Sequence, residues 1–327
     1  MERIALANAR ERSAIFAETA RKMNISAALV EKDFWVIWTL DKIFSDSFLK
    51  SRMIFKGGTS LSKVFKVIER FSEDIDLILD WRLITAEGVI KESASKQAKF
   101  NEELNKDSSQ YIATELKNRL ENLFGSLCTV QSDKDDPHTL NVEYPRSLSD
   151  AYIRPHIRLE IGPLAAWMPH DNFPVSSYVA DENKELGISD TTLPVILAER
   201  TFWEKATILH REHFRPQNTQ TPLRYSRHYY DMHMMASSSV KESALRMLGL
   251  LSEVADFKDK FYHCAWAKYD LAKPGTMRLM PSHANEKILE KDYAEMKSMI
   301  FKNPPDWDDI LDSISRLEED INSMPKL

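Results

Sequence analysis

The sequence predicts an α+β protein in two parts, a mixed-sheet lobe followed by a helical lobe. Three observations carry that expectation. Short, apolar, β-branched runs recur at 53–55, 74–79, 140–144 and 156–161, the signature of strands. Residues 163 to 193 hold three prolines and many polar turn formers. Beyond Pro194 the apolar residues recur at almost wholly helical spacing. The division is therefore set at 1–190 and 191–327.

Taken in order, residues 1 to 48 read as two helices. The second starts near Ser26, a good N-cap type, and carries Val30, Phe34, Ile37 and Trp38 at helical spacing. Met53-Ile54-Phe55 forms a strand that runs into Lys56-Gly57-Gly58-Thr59-Ser60. Leu61, Val64, Phe65 and Ile68 then follow at i, i+3, i+4 and i+7, so a helix comes next. The strand 74–79 places Asp74 and Asp76 on one face, because its side chains alternate. Residues 88 to 124 form a charged helical layer with Phe100, Leu104, Tyr111, Leu116, Leu120 and Phe124 as buried positions. On the strand at 156–161, His156, Arg158 and Glu160 share a face. The second half opens with a helix from Val195 through Lys205 and ends in an amphipathic one marked by Ile310, Ile314 and Leu317. No internal repeat or low-complexity tract is present.

Composition narrows the function classes. With 43% hydrophobic and 29% charged residues the chain is of ordinary globular type. No run of eighteen apolar residues occurs and the N-terminus is too charged for a signal-peptide core, so a cytoplasmic protein without membrane spans is expected. Cys128 and Cys264 are the only cysteines, which excludes a disulfide framework and a paired-cysteine zinc knuckle. A formal net charge of -6 excludes a generally basic surface, so any RNA contact must be focal. Glycine is scarce, 8 residues where average usage gives about 23. Two of them stand together at Gly57 and Gly58, a pairing that needs a backbone reason.

A Gly-Gly turn between strand and helix lets the backbone approach a ligand, and free N–H groups there attract an anion such as a triphosphate. A tight structural turn is the alternative. Asp74 and Asp76 sharpen the choice: two neighbouring acids repel, burial raises their pKa values, and a divalent cation relieves both costs. Mg2+ prefers carboxylate oxygen together with substrate phosphates, which suits metal-nucleotide chemistry. An exposed acidic strand end is the competing explanation, against which the apolar neighbours Ile75, Leu77, Ile78 and Leu79 argue.

These residues resemble a family. Gly57-Gly58, Asp74-x-Asp76 and a later strand acid, Glu160, look like the polymerase-β-type nucleotidyltransferase superfamily. More closely, Lys56-Gly57-Gly58-Thr59-Ser60-Leu61-Ser62-Lys63, Arg70-Phe71-Ser72-Glu73-Asp74-Ile75-Asp76-Leu77 and Glu31-Lys32-Asp33-Phe34-Trp35 resemble the AbiEii/AbiGii-type toxin nucleotidyltransferases, which include the MenT toxins. The resemblance continues through Glu199–Lys205 and Arg227-His228-Tyr229-Tyr230-Asp231 and covers roughly residues 30 to 235.

The resemblance implies a two-lobed, polymerase-β-like fold and an Mg2+-dependent enzyme, with Mn2+ as a substitute. Asp74, Asp76 and Glu160 would form the metal site, and Glu160 would favour deprotonation of an acceptor hydroxyl. Pairing of Glu160 with Arg158 or His156 remains open. Gly57, Gly58, Thr59, Ser60 and Ser72 would bind the nucleotide, with Lys63 or Arg70 neutralising phosphate charge; Lys63, Lys66 and Arg70 fall on one helical face, which could equally be a solvated basic stripe. Lys205 would reach the triphosphate across an interlobe cleft and stabilise departing pyrophosphate, with Asp231 positioning or neutralising it, unless Asp231 is a cap or ion-pair residue. Implied partners are an NTP, an RNA acceptor such as the tRNA 3' end, and a cognate antitoxin protein of a toxin–antitoxin or phage-defence pair. A protein hydroxyl as acceptor, or a non-catalytic nucleotide-binding role, stays open.

A basic stretch from Lys205 to His228 offers the focal RNA contact. Arg211, Arg215, Arg224 and Arg227 face Glu212 alone and are interleaved with Phe214 and Tyr225, which suits a single-stranded RNA end or else a charged surface loop. His210-Arg211-Glu212-His213 matches neither zinc-protease order. Asp133, Asp135 and Asp136 read as a solvated loop.

Overall fold

The computed structural model describes residues 1–148 and 153–325. They form two compact units. The first comprises residues 1–64, 71–91 and 99–196, and the second residues 65–70, 92–98 and 197–327.

The first unit is built on one seven-stranded mixed sheet. Its strands are β1 (Met53–Lys56), β2 (Asp74–Leu79), β3 (Thr129–Ser132), β4 (Thr139–Glu143), β5 (Ile157–Gly162), β6 (His170–Val175) and β7 (Thr191–Ile196). Their spatial order is β3-β4-β5-β2-β1-β7-β6. β1 and β2 run antiparallel, whereas β2 pairs β5 and β1 pairs β7 in parallel. The central strands β1, β2 and β7 carry the near-continuous apolar runs expected of a sheet covered on both faces. Ile54, Ile78 and Ile196 pack together there, with Ala165 and Trp167 against them.

The four strands read from the sequence are present within a residue of their expected bounds. Three more, β3, β6 and β7, were not anticipated. β7 corrects the expectation that a helix begins at Val195: Val195 and Ile196 close a strand paired with β1 and β6, and the helix starts at Ala198. Pro194 sits within that strand opposite Asn172. Short apolar runs are ambiguous between strand and buried helix until a neighbouring strand claims them.

The helix Ala27–Ser45 lies under this sheet and is apolar nearly all round, with Val30, Phe34, Trp35, Ile37, Trp38 and Leu40 buried. Ser26 is its N-cap residue, as expected. Phe34 packs on Phe16, and Trp35 stacks on Tyr144 with ring centroids 5.6 Å apart. Within this apolar helix stand three consecutive buried charges, Glu31, Lys32 and Asp33. The layer at 94–124 is helical, and Phe100, Leu104, Leu116, Leu120 and Phe124 are buried while Tyr111 is half-buried.

The second unit is helical. It contains the helices Ala198–His213, Ser226–Ala236, Ser239–Arg246, Leu248–Phe261, His283–Met296 and Trp307–Ser323, together with the strap of residues 65–70. The last helix buries Ile310, Leu311, Ile314, Leu317 and Ile321 on one stripe. Among the described residues no helix is long and apolar enough to cross a membrane.

Candidate active site

The site is built where β1 turns into the helix Gly57–Lys63. Gly57 adopts φ +85, and a Cβ there would lie 1.9 Å from Oδ2 of Asp76. Two independent constraints therefore require glycine: a left-handed backbone that L side chains rarely adopt, and a carboxylate occupying the space of a side chain. The pairing of β1 with β2 explains the contact, because Lys56 sits opposite Asp76 in the ladder. Ser60 Oγ donates to the Gly57 carbonyl at 2.8 Å. Thr59 Oγ1 donates to the carbonyls of Ser72 and Asp74, tying the turn to the start of β2. Both hydroxyls are fully buried, which corrects the expectation that they face a phosphate: they stiffen the turn, and Ser72 serves it through its carbonyl.

β2 alternates as read. Asp74 and Asp76 are partly exposed and Ile75 and Leu77 are buried. The parallel pairing of β2 with β5 sets Asp76 beside Glu160 and Asp74 beside Arg158, so all four side chains share one face at a strand spacing of about 4.8 Å. Glu160 is 37% exposed and lies 3.5 Å from Arg158 Nη2. Both anticipated environments for Glu160, neighbour of the aspartates and partner of Arg158, are thus realised together. Asp74 accepts from Arg154 Nη1 at 3.0 Å.

The donor set fits a hard divalent ion. Asp74 and Asp76 present oxygen ligands on one half-open face. Among the described residues no three His, Cys, Asp or Glu side chains converge as a ready-made ion cage. Mg2+ typically takes one or two carboxylates and completes its shell with water and substrate phosphate, so two aspartates with Glu160 next in register suffice.

Lys63 is not placed for phosphate. Its ammonium is buried 2.6 Å from Asp33 and stands 3.7 Å over the ring of Tyr178. Nor do Lys63, Lys66 and Arg70 share a helical face: the helix stops at Lys63, Lys66 takes φ 53, and Arg70 leaves with the strap into the second unit. Tertiary pairing overrides the local period there, for Arg70 bridges to Ile300.

In the second unit Asp231 is fully buried and binds two cations. Arg70 grips it bidentately, Nε to Oδ1 at 2.6 Å and Nη2 to Oδ2 at 2.8 Å, and Lys205 Nζ lies 2.7 Å from Oδ2. Burial alone would raise the Asp231 pKa, but the two cations outweigh it and hold the carboxyl well below its usual range. Burial pushes the Lys205 ammonium down. Burial, helped by the charges of Lys205 and Arg227, drives His228 far below the ordinary histidine range, so its imidazole is neutral.

The basic stretch is half neutralised from within. Glu212 accepts from both Arg211 and Arg215, at 2.9 Å and 2.5 Å, and the two guanidinium groups stack near the Trp266 ring. Arg215 is thereby a buried arginine paired with a buried glutamate, a contact committed to the fold, while Arg211 shares that acid from a half-buried position. Arg224 is exposed and Arg227 half-exposed. His210 bonds the Lys268 carbonyl and the Arg278 amide, and His213 the Met280 carbonyl, so both are structural. Asp133 and Asp136 organise the turn between β3 and β4 through amides and Thr139.

Three consecutive residues of the helix Ala27–Ser45 place buried charge in the same unit as the aspartates. Glu31 accepts from the amides of Ser147 and Leu148, Lys32 donates to the carbonyls of Arg154 and His156, and Asp33 accepts from the Tyr178 amide as well as holding Lys63. Three charges in a row inside an apolar helix were the available signal.

A family model described as "Nucleotidyl transferase AbiEii toxin, Type IV TA system" matches residues 38–313. No match is found among curated proteins. Two solved structures are similar at low identity. MenT4, a nucleotidyltransferase toxin from Mycobacterium tuberculosis H37Rv, is 16% identical, with 94% of this chain and 99% of that chain covered and a TM-score of 0.47. JHP933 from Helicobacter pylori is also 16% identical, with 90% and 97% covered and a TM-score of 0.35. Because the family model spans most of the chain, including the Gly57 turn, both aspartates and Glu160, this protein belongs to the AbiEii nucleotidyltransferase family of type IV toxin–antitoxin toxins.

Proposed function

We propose that the chain transfers a nucleotide from an NTP to an RNA acceptor, the 3' end of tRNA, in an Mg2+-dependent reaction that blocks aminoacylation and so inhibits translation in the cytoplasm until a cognate antitoxin restrains it. The observation that carries the reading is the seating of the Asp76 carboxylate on Gly57, with Asp74 on the same face and Glu160 beside it in register.

In that reading Asp74 and Asp76 hold the divalent ion, whose chemistry is to neutralise phosphate charge and orient the α-phosphate. Gly57 and Gly58 keep the backbone low enough for phosphate oxygens to approach. Glu160, partly exposed, accepts the proton of the acceptor hydroxyl at its carboxylate oxygen. The acceptor oxygen bonds to the α-phosphorus as the bond to the bridging oxygen breaks, and pyrophosphate leaves. A net negative protein can still hold RNA through a few local cations, for which Arg224 and Arg227 are the candidates.

The test is incubation of the purified protein with each of four labelled NTPs, Mg2+ and either deacylated tRNA or total cell protein. Label entering tRNA, and failing to enter tRNA whose 3'-terminal diol has first been oxidised with periodate, is the expected result. Label in protein alone overturns the RNA acceptor and supports transfer to a protein hydroxyl.

A further inference from the structure

Arg154 is held through its backbone on both sides and through its side chain at the tip. Its amide donates to Glu73 Oε2 at 3.1 Å, its carbonyl accepts from Lys32 Nζ at 3.0 Å, and its Nη1 reaches Asp74 Oδ1 at 3.0 Å. The two backbone anchors are themselves an ion pair 3.5 Å apart, with the Lys32 side chain wholly buried and that of Glu73 4% exposed. Burying such a pair carries a large desolvation cost for each ion. The contact at the tip of the side chain, between Arg154 at 31% exposure and Asp74 at 18%, is of the half-open kind that contributes little to stability. Stability does not explain the investment; what the guanidinium covers does. It covers an oxygen of the first carboxylate of β2.

We propose that Arg154 is the resident counter-cation of Asp74. In the nucleotide-free protein its guanidinium occupies the carboxylate oxygen that a divalent ion would use, and when the nucleotide arrives with its metal the guanidinium transfers to a triphosphate oxygen. This rests on Asp74 being a metal ligand, as proposed above. Three features support it. A guanidinium and a divalent ion cannot both sit on one carboxylate oxygen without strong like-charge repulsion. The planar fork of arginine matches phosphate as well as carboxylate, so the exchange replaces one charge-assisted contact with another. Because Lys32 and Glu73 bind only main-chain atoms of Arg154 at hydrogen-bond distance, the side chain can swing while its root stays fixed; the nearest approach of Glu73 to the guanidinium is 3.9 Å, at Nε. Metal and nucleotide are thereby made to bind together rather than in turn.

The experiment is a Mn2+ titration of the full-length protein without nucleotide, followed by electron paramagnetic resonance, on wild type, Arg154→Gln, Arg154→Lys, Asp74→Asn and the Arg154→Gln/Asp74→Asn double variant. The substituted side chain is partly exposed and its anchors are main-chain, so the fold is retained. Arg154→Gln is expected to bind Mn2+ about three- to tenfold more tightly, Arg154→Lys to fall between, and both Asp74→Asn variants to lose the site. In transfer assays Arg154→Gln is expected to raise the KM for NTP while lowering the Mg2+ concentration needed for half-maximal rate. Unchanged or weaker Mn2+ binding in Arg154→Gln, with binding lost in Asp74→Asn, overturns this proposal and leaves Asp74 as a metal ligand. Binding that survives Asp74→Asn overturns both readings. An unchanged KM for NTP overturns the transfer to phosphate.

Discussion

Two aspartates in this protein meet their surroundings in opposite ways. Asp76 sits on a half-open sheet face, packed on a glycine, with acids at Asp74 and Glu160 as its neighbours. Asp231 is wholly buried, and two cations saturate it. The first arrangement gathers three acids on a face that solvent can reach, with Arg154 on Asp74 and Arg158 near Glu160, and acids clustered in this way mark a candidate functional site. The second neutralises an acid in low dielectric, and its removal takes from the buried Arg70 and Lys205 the carboxylate they share.

The contrast breaks most visibly at Asp231. Asp231→Ala is expected to cost about 3–5 kcal/mol of stability, as for breaking a buried ion pair from one side, measured as a lower urea midpoint; a loss under about 1 kcal/mol would place this cluster in the same class as the open face. The depressed pKa of Asp231 means that its contribution is present above the ordinary carboxylate value of 3.8 and fades only as pH falls below it. At Asp76 the expectation reverses. Asp76→Asn should reduce nucleotidyl transfer by about 10²–10³-fold with the thermal midpoint unchanged or raised, since it relieves repulsion between acids.

Gly57→Ala probes how tightly the open face is built. The positive φ and the clash with Asp76 are expected to cost about 1–3 kcal/mol, with part of it restored in Gly57→Ala/Asp76→Ala, a non-additivity that only direct contact produces. The smallest effect is a pH slope. Burial lowers the pKa of Lys32 from 10.5 to about 8. Between those two values the folded protein binds fewer protons than the unfolded chain at this site, so the Lys32 contribution to stability rises with pH through that window and is flat below it. Lys32→Met should abolish that slope when urea midpoints are compared from pH 7.5 to 9.5, whereas Asp231 responds only in strong acid.

Much of this was legible in the residues themselves. The run from Met53 to Ser60 reads as strand, turn and helix because two adjacent glycines interrupt an apolar period, and Asp74 and Asp76 share a face because a strand alternates. β7 was not legible, since Thr191–Ile196 has no alternation of its own and becomes a strand only between β1 and β6. The charged residues divided least predictably. By sequence Lys63, Arg70, Arg211 and Arg215 are cations suited to phosphate or RNA, and each meets an acid in the fold: Asp33, Asp231 and, for the last two, Glu212. Lys32 and Arg154, which bear on Asp74, had no assigned role.

The sequence by itself determined the local geometry of the aspartate face, because backbone period and glycine's freedom act over a few residues. Only the tertiary structure decided which charges remain available for chemistry. A long charged side chain looks the same from its neighbours in sequence whether it ends in water or on a buried partner, and Arg70 finds its partner 161 residues away.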